Sequence, residues 1–278
     1  MITQPLTLMA VHAHPDDEAI GTGGVLARYG SEGVRTVLVT CTNGELGDDV
    51  DGTKPGEVGH NEDRVSAIRR EELKASCAEL GILEFQSLGY RDSGMQGWVH
   101  NDRVDAFCRV PLEEPVDRLV ELMHRYRPQV VITYDEKGFY GHPDHIRANQ
   151  ITLAASEKSG IPDKIYYTAF SRSQIFRLTK LIIESGVELE GWDAEGVAFG
   201  TPDELVTSVI DCEPFVEAKY AALGAHSSQS ENILFLKMGV ELFGKYFGKE
   251  EFVRIFDRTC SPIPEDDLFA GLRTASSD

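Results

Sequence analysis

Two short polar motifs, each directly after an apolar stretch, constrain this chain more than any other feature. The first is residues 14–18 (HPDDE), after residues 8–11 (LMAV), and the second is residues 138–145 (GFYGHPDH), after residues 130–134 (VVITY). Apolar runs of this length are typical of buried parallel strands. In an open α/β sheet, ligands bind at the carboxyl edge of the strands, where the strand order reverses. We therefore expect the two motifs to face each other and to form one site.

The first 160 residues alternate strand-like and helix-like segments. The pattern predicts strands at 8–12, 35–40, 85–90 and 129–134, and helices at 18–29, 65–80, 115–126 and 144–158. Such alternation indicates an α/β fold, a Rossmann-like, doubly wound and mostly parallel sheet with right-handed crossovers. In that strand order the first and fourth strands are neighbours.

Beyond residue 160 the pattern is mixed. It predicts strands at 164–169, 205–210 and 252–256, helices at 213–225 and 233–247, and a helix to residue 185 that opens with a Ser171/Gln174 capping box. We therefore divide the chain into a Rossmann-like metal-binding catalytic core at 1–160 and a smaller C-terminal α/β portion at 161–278, which completes the domain and the substrate pocket. Two long loops, at 44–63 and 92–101, are expected to cover the site.

Charge and cysteine content exclude several classes of protein. The chain carries 46 Asp and Glu against 27 Lys and Arg, a net charge of -19, which repels nucleic-acid backbones and anionic membranes. Five scattered cysteines without a Cys-x-x-Cys pair argue against a thiolate zinc site. Without a basic, apolar leader or an apolar run of about 20 residues, we expect a cytoplasmic protein with no nucleic-acid or membrane partner. The sequence does not decide whether the protein forms a homo-oligomer.

Two imidazoles and a carboxylate in the motifs suit a catalytic metal ion. We expect His14, Asp17 and His145 to be its protein ligands, which leaves a tetrahedral zinc ion one open position for water. Zinc lowers the pKa of bound water and polarises a carbonyl, so hydrolysis of an amide or ester is the expected chemistry. Asp16, beside a ligand, is the candidate general base. We expect one Zn²⁺ per chain, although Fe²⁺ and Co²⁺ bind the same ligand types.

The second motif supplies three further candidate catalytic residues. His142 lies three positions before His145 and could protonate a leaving nitrogen or stabilise an oxyanion. We expect the carboxylate of Asp144 to hold the His142 ring in the useful tautomer. Tyr140 is expected to donate a hydrogen bond to the same oxyanion.

The residues assigned to the metal site and to catalysis also have less specific interpretations. Asp16 or Asp17 could simply cap the following helix, and a lone tyrosine such as Tyr140 is more often a packing residue. Two histidines and a carboxylate also form the facial triad of non-haem iron oxygenases, and a sugar-binding module with a vestigial metal site is a third candidate. Two His-Pro-Asp motifs after two strand patterns favour the metal site, and a base and an oxyanion donor beside the ligands favour an enzyme.

Five motifs along the chain, taken together, resemble those of a known family. They are residues 14–18 (HPDDE), residues 42–45 (TNGE), Arg69 with Glu72, residues 91–94 (RDSG) and residues 142–145 (HPDH). This set is similar to that of the LmbE or PIG-L family of zinc-dependent N-deacetylases. The resemblance implies release of an acyl group from a glucosamine-type nitrogen by the metal, base and oxyanion residues named above. It also implies that Arg69 and Asp92 bind the sugar or its aglycone and that Glu45 lines the same pocket.

Within this family the chain resembles two mycothiol-pathway enzymes, the deacetylase acting on N-acetylglucosaminyl-inositol and the amidase that cleaves mycothiol conjugates. Residues 134–136 (YDE) and 268–271 (LFAG) look like the amidase. Residues 18–24 (EAIGTGG) lack the lysine that the amidase carries after its metal motif, and Gly141 matches the deacetylase. We therefore predict N-deacetylation of an N-acetylglucosaminyl-inositol or a related amino-sugar glycoconjugate, with mycothiol S-conjugate amidase as the alternative.

Two further residues have two interpretations each. His226 could reach the pocket from the C-terminal portion, but a helix-end histidine bonded to backbone is the reading we favour. Trp98 could stack on a sugar ring or anchor its loop.

Overall fold

Strands of this chain form one mixed sheet. The computed structural model describes residues 5–184 and 200–273. In this part the strands are β1 (Thr7–His12), β2 (Arg35–Thr42), β3 (Glu84–Tyr90), β4 (Val130–Thr133), β5 (Lys164–Ala169), β6 (Ser208–Asp211) and β7 (Lys249–Asp257). Their order is β3-β2-β1-β4-β5-β7-β6. The first five pair in parallel, and β7 is antiparallel to both β5 and β6. The predicted mostly parallel, doubly wound sheet is confirmed.

Helices connect these strands as the sequence pattern predicts. They are α1 (Asp17–Gly21), α2 (Gly23–Ser31), α3 (Glu62–Glu79), α4 (Glu113–Tyr126), α5 (Gly138–Gly141), α6 (Pro143–Ser159), α7 (Arg172–Glu184), α8 (Val216–Ala225), α9 (Ser230–Leu236) and α10 (Val240–Phe247). Short 3₁₀ turns lie at Val99–Asp102, Asp203–Leu205 and Glu213–Phe215. Ser171 caps α7 by accepting a hydrogen bond from the Gln174 N–H at 3.2 Å, as its capping box predicts. Residue 185, the predicted end of that helix, lies outside the described residues.

Two predicted helices are each split in two. The segment 18–29 breaks at Thr22, whose φ of -145° is not helical, and the neighbouring glycines of residues 21–24 weaken helix propensity at that point. The hydroxyl of Thr22 is 2.8 Å from Nε2 of His12. The segment 233–247 breaks at Gly239, which has φ +74°. Both breaks let the chain change direction within an otherwise helical pattern.

The apolar residues of the central strands alternate between two cores, one on each face of the sheet. Leu8 and Ala10 of β1 belong to one core, with Ile132 of β4. Met9 and Val11 of β1 belong to the other core. Because successive side chains of a strand point to opposite faces, helices must cover both faces, which is why these strands read as continuous apolar runs.

The pairing of β1 with β4 decides where the motifs meet. Leu8 is opposite Val130, and β2 lies on the other side of β1, so the strand order reverses at this pair. Both strands end at the same edge, with residues 14–18 following one and residues 138–145 following the other. The predicted neighbourhood of the first and fourth strands is therefore confirmed.

The sheet continues from the first 160 residues into the C-terminal portion. Strand β5 pairs with β4 from Val130 opposite Lys164 onward, and the buried Lys164 ammonium lies 2.6 Å from the carboxylate of Glu265. The division of the chain at residue 160 stays a prediction. No helix in the described ranges combines the length and the apolar character needed to span a bilayer.

Candidate active site

The first motif forms a tight turn after β1. The backbone N–H of His14 donates to Oδ2 of Asp17 at 2.8 Å, and the N–H of Asp16 donates to Oε2 of Glu18 at 2.9 Å. Asp16 has φ 118° and ψ -27°, a conformation that costs an L-residue about 1–3 kcal/mol. The turn is therefore held by side chains of its own motif.

The second motif begins α6. His142 is the N-cap residue and Pro143 occupies the first helical turn, where the missing N–H of proline costs nothing. This places Asp144 and His145 in that turn, where both are buried. Gly138 has φ +63°, and a Cβ there would lie 2.8 Å from Cβ of His145. The close approach of α6 therefore requires a glycine at position 138, the first residue of the motif.

The three predicted metal ligands converge. Nδ1 of His14 lies 3.3 Å from Oδ2 of Asp17, and Nε2 of His145 lies 3.4 Å from Oδ1 of the same carboxylate. The two imidazole centroids are 5.3 Å apart. Both ring nitrogens of His145 are buried and have no hydrogen-bond partner among the described residues. Since a buried polar atom costs free energy when it has no partner, a cation that binds the lone pair of Nε2 fits this group of donors.

Carboxylates around His14 also favour a cation. Nε2 of His14 lies 3.3 Å from Oδ2 of Asp144 and 3.7 Å from Oδ1 of Asp92. Although burial opposes protonation, Asp92, Asp144 and Asp17 raise the pKa of His14 well above its usual range. Burial likewise disfavours a charged Asp17, but His145 and His14 hold its pKa well below the usual range. The site therefore stabilises positive charge at its centre.

Asp144 corrects one prediction. Its carboxylate does not hold the His142 ring: it accepts hydrogen bonds from the N–H of Ser93 at 2.8 Å and from the Ser93 hydroxyl, and it contacts His14. The first turn of α6 directs this side chain away from the N-cap residue. A carboxylate on one ring nitrogen of a histidine commonly orients the other nitrogen toward a metal. Asp144 thus leaves Nδ1 of His14 facing Asp17.

His142 is oriented by the backbone instead. Its Nδ1 accepts a hydrogen bond from the Asp144 N–H at 3.1 Å, so the neutral ring carries its proton on Nε2. Burial, together with the neighbouring His14 and His145, lowers the pKa of His142 to about 2. Its ring centroid lies 4.5 Å from that of His14. One nitrogen of His142 lies within 4.8 Å of donor atoms of His14 and His145. Because Nδ1 of His142 accepts from the backbone, its Nε2–H is left as a donor.

Arg69 fixes Asp16 at the cavity wall. Nη2 of Arg69 lies 3.0 Å from Oδ2 of Asp16, and its guanidinium also donates to the carbonyls of Gly44 and Pro15. Burial raises the pKa of Asp16 to about 6, while Arg69 opposes the shift and Asp17 adds to it. A carboxylate with a pKa near the working pH is well suited to accept and release a proton.

The other predicted residues differ in their relation to the cavity. Asp92 lines the cavity and accepts a hydrogen bond from the N–H of Gly94 at 2.8 Å. Tyr140 lines it with 45% of the residue exposed, and its ring centroid is 5.0 Å from that of His145. Glu45 is a correction, because it is buried but does not line the cavity. Its nearest cation is Arg91, with Nε 3.9 Å from Oε1.

The cavity has a volume of about 500 Å³, within the range of small-molecule sites. Both predicted covering loops contribute to its wall, with Leu46 and Lys54 from the first and Met95 and Trp98 from the second. Trp98 lines the cavity and also lies close to Gly94 of its own loop, so both readings of this residue stay predictions. Thr168 and Phe170 from β5 and its end complete one side.

Sequence reasoning missed two residues that support the site. The Tyr134 hydroxyl donates to Oδ2 of Asp17 at 2.7 Å and accepts from the N–H of Ala13 at 2.8 Å. Its ring stacks on His145 with centroids 4.1 Å apart. A polar residue at the carboxyl end of an apolar run was the signal for Tyr134. Ser93 lies in the family motif at residues 91–94, but nothing in the sequence predicted its contact with Asp144.

His226 corrects a third prediction. It lies at the end of α8, fully buried, but within residues 5–184 and 200–273 its ring bonds a side chain instead of the backbone: Nε2 is 2.7 Å from Oε1 of Glu18. The ring does not line the cavity.

Known proteins match the chain over the parts that carry these features. A family model described as PIG-L, GlcNAc-PI de-N-acetylase, matches residues 9–156. A 1D-myo-inositol 2-acetamido-2-deoxy-alpha-D-glucopyranoside deacetylase of Thermomonospora curvata is 38% identical over 291 residues, which cover 95% of each chain. An enzyme of the same name from Acidothermus cellulolyticus is 38% identical over 278 residues, covering 96% of this chain and 95% of the relative.

A solved structure with low sequence identity shares the fold. The N,N'-diacetylchitobiose deacetylase of Pyrococcus horikoshii superposes with a TM-score of 0.57 at 20% identity, covering 90% of this chain and 83% of that chain. At such identity the likeness shows the fold alone, because one fold hosts many chemistries.

Proposed function

Because the chain belongs to the PIG-L family of de-N-acetylases, we propose that it hydrolyses the acetamide of an N-acetylglucosaminyl-inositol, releasing acetate and a free amine. The names of the relatives from Thermomonospora curvata and Acidothermus cellulolyticus support this substrate class. The volume of the cavity, about 500 Å³, is sufficient for a small two-ring glycoside.

One observation supports the proposal most: Nε2 of His145 is buried, 3.4 Å from Oδ1 of Asp17, with no hydrogen-bond partner in the part of the chain that the structure describes. With Nδ1 of His14 it completes the donor set of two imidazoles and a carboxylate that is typical of catalytic zinc. We propose zinc as the metal held by these residues. When bound, such a cation polarises the amide carbonyl and lowers the pKa of a water molecule.

Asp16 then serves as the general base. Its carboxylate lines the cavity beside the ligand Asp17 and is 22% exposed, so it can reach a water molecule that attacks the amide. Arg69 restricts the carboxylate to one orientation through the 3.0 Å contact with Oδ2. A pKa raised to about 6 allows Asp16 to take a proton from the water and return it to the leaving nitrogen.

We assign His142 and Tyr140 as hydrogen-bond donors to the negative charge that develops on the amide oxygen. The neutral His142 ring presents Nε2–H, because its Nδ1 is occupied by the backbone of Asp144. Both His142 and Tyr140 line the cavity, and donors placed at a developing oxyanion stabilise the transition state. Neither an iron oxygenase nor a vestigial binding module requires this combination of base and oxyanion donors.

A substrate panel tests the proposal. The metal-loaded protein is incubated with N-acetylglucosaminyl-inositol, with a mycothiol conjugate and with N-acetylglucosamine, and free primary amine and acetate are measured. We expect equal amounts of amine and acetate from the first substrate, with kcat/KM well above that for N-acetylglucosamine. Amine release from the mycothiol conjugate alone would instead identify the amidase, and no release from any substrate would refute the proposal.

A further inference from the structure

The mechanism leaves one buried ion pair beside the site unused. His226 and Glu18 are both fully buried, 208 positions apart in the chain, with Nε2 of His226 2.7 Å from Oε1 of Glu18. Two buried charges cost free energy unless each finds its partners. His226 does not line the cavity, so any contribution to turnover has to pass through another residue.

Glu18 uses both carboxylate oxygens. Oε1 accepts from His226 and from the hydroxyl of Ser76. Oε2 accepts from the backbone N–H of Asp16 at 2.9 Å. The ion pair is therefore connected directly to the main chain of the proposed general base.

Asp16 needs such support. Its φ of 118° lies in a region that L-residues rarely adopt, so the backbone relaxes unless it is held. Glu18 holds the N–H on one side, and Arg69 holds the carboxylate on the other, 3.0 Å away. A catalytic group works only when its position is fixed within about 0.5 Å.

We propose that His226 and Glu18 are positioning residues: His226 holds the Glu18 carboxylate where it accepts from the Asp16 N–H, and this fixes the direction of the Asp16 side chain. Through this contact the C-terminal portion of the chain sets the geometry of the first motif. The inference rests on the proposed function, in which Asp16 is the base.

The test compares His226→Ala, His226→Gln and Glu18→Gln with the unmodified enzyme on N-acetylglucosaminyl-inositol. We expect His226→Ala to lower kcat about 10- to 100-fold, as a misplaced catalytic group does, with KM and bound metal little changed. His226→Gln keeps a hydrogen-bond donor and should therefore retain a higher kcat than His226→Ala. In Glu18→Gln the side-chain amide has a single acceptor oxygen, which cannot accept from both the Asp16 N–H and the donors of His226 and Ser76. We therefore expect kcat to fall in this variant too.

The Asp16→Ala background separates positioning from a general structural effect. Residues that act through one group are not additive, so His226→Ala should leave the residual rate of Asp16→Ala unchanged. His124→Ala, which removes an exposed histidine of α4, is the control and should behave like the unmodified enzyme in both backgrounds.

Three results would overturn the inference. Full kcat in both His226 variants shows that the pair does not position the base. An equal loss with and without Asp16 shows that His226 supports the fold alone. If the unmodified enzyme releases no acetate, the proposed function fails first and this inference fails with it.

Discussion

The hydroxyl of Tyr134 donates a 2.7 Å hydrogen bond to Oδ2 of Asp17, 117 positions earlier in the chain. Tyr134 follows β4 and Asp17 begins α1, so this bond joins the ends of the two central strands. The same ring stacks on His145 at 4.1 Å between centroids. One phenol thus orients two of the three proposed metal ligands.

Tyr134→Phe should therefore weaken metal binding. The ring and its stacking on His145 remain, but Oδ2 of Asp17 keeps only the His14 N–H of its two donors. Removing such a supporting hydrogen bond typically lowers metal affinity about 10- to 100-fold. Competition with a chromogenic zinc chelator measures the change, and Tyr126→Phe, a buried tyrosine of α4 bonded to Glu84, is the matched control. Equal affinity in both variants would show that Tyr134 does not support the ligand.

Asp16→Asn should abolish most turnover and keep the metal. Asparagine preserves the size of the side chain but cannot accept the proton from water, and loss of a general base typically costs about 10²- to 10⁴-fold in rate. Metal content and kcat are measured on the same preparation. Asp117→Asn, at an exposed position of α4, controls for loss of a carboxylate. A rate near that of the unmodified enzyme would exclude Asp16 as the base.

The acidic limb of the pH profile should depend on Arg69. Burial raises the pKa of Asp16 to about 6, and the charge of Arg69 opposes that rise. The base must be ionised, so kcat/KM increases as the pH rises through this pKa. A bound cation lowers the pKa, which places the limb at or below pH 6. Arg69→Met removes the opposing charge and should move the limb to higher pH. A limb that moves to lower pH would contradict this electrostatic account.

The cavity should discriminate against a phosphorylated aglycone. Among the described lining residues, the Lys and Arg side chains are Lys54 and Arg69, and both contact carboxylates, at 2.5 Å from Asp48 and 3.0 Å from Asp16. Neither is left unpaired for a phosphate. We expect phosphate on the inositol to lower kcat/KM about 10-fold or more at low salt, because like charge slows association.

Asp48→Asn provides the check on that expectation. This substitution leaves Lys54 without its carboxylate partner, so the ratio of kcat/KM for the unphosphorylated substrate to that for the phosphorylated one should decrease. Added salt should decrease the same ratio in the unmodified enzyme. Equal kcat/KM for the two substrates in the unmodified enzyme would show that these ion pairs do not set specificity.

The sequence predicted the fold and the meeting of the two motifs for a local reason. Alternate residues of β1, such as Leu8 and Met9, enter cores on opposite faces, and this requirement produces the apolar runs that mark the strands. The polar motifs then follow the strand ends by chain connectivity. His14, Asp17 and His145 could be grouped without any knowledge of side-chain contacts.

Contacts between distant segments could not be predicted in the same way. The partner of His226 is Glu18, and the carboxylate of Asp144 binds Ser93, because helix packing brings together residues with no shared pattern in the sequence. Thr22, where the predicted first helix breaks, likewise contacts His12, a residue of β1. Local patterns locate the elements, whereas tertiary packing decides what each polar side chain binds.

Acetate release should depend on one divalent cation held by His14, Asp17 and His145. The most direct measurement is a titration of metal-free protein with Zn²⁺, recording bound metal and acetate released from N-acetylglucosaminyl-inositol at each step. We expect no acetate release without metal, full activity at one equivalent of Zn²⁺, and neither tight zinc binding nor activity in His145→Ala. Full acetate release from the metal-free protein, or unchanged zinc binding in His145→Ala, would show that these residues do not hold a catalytic metal.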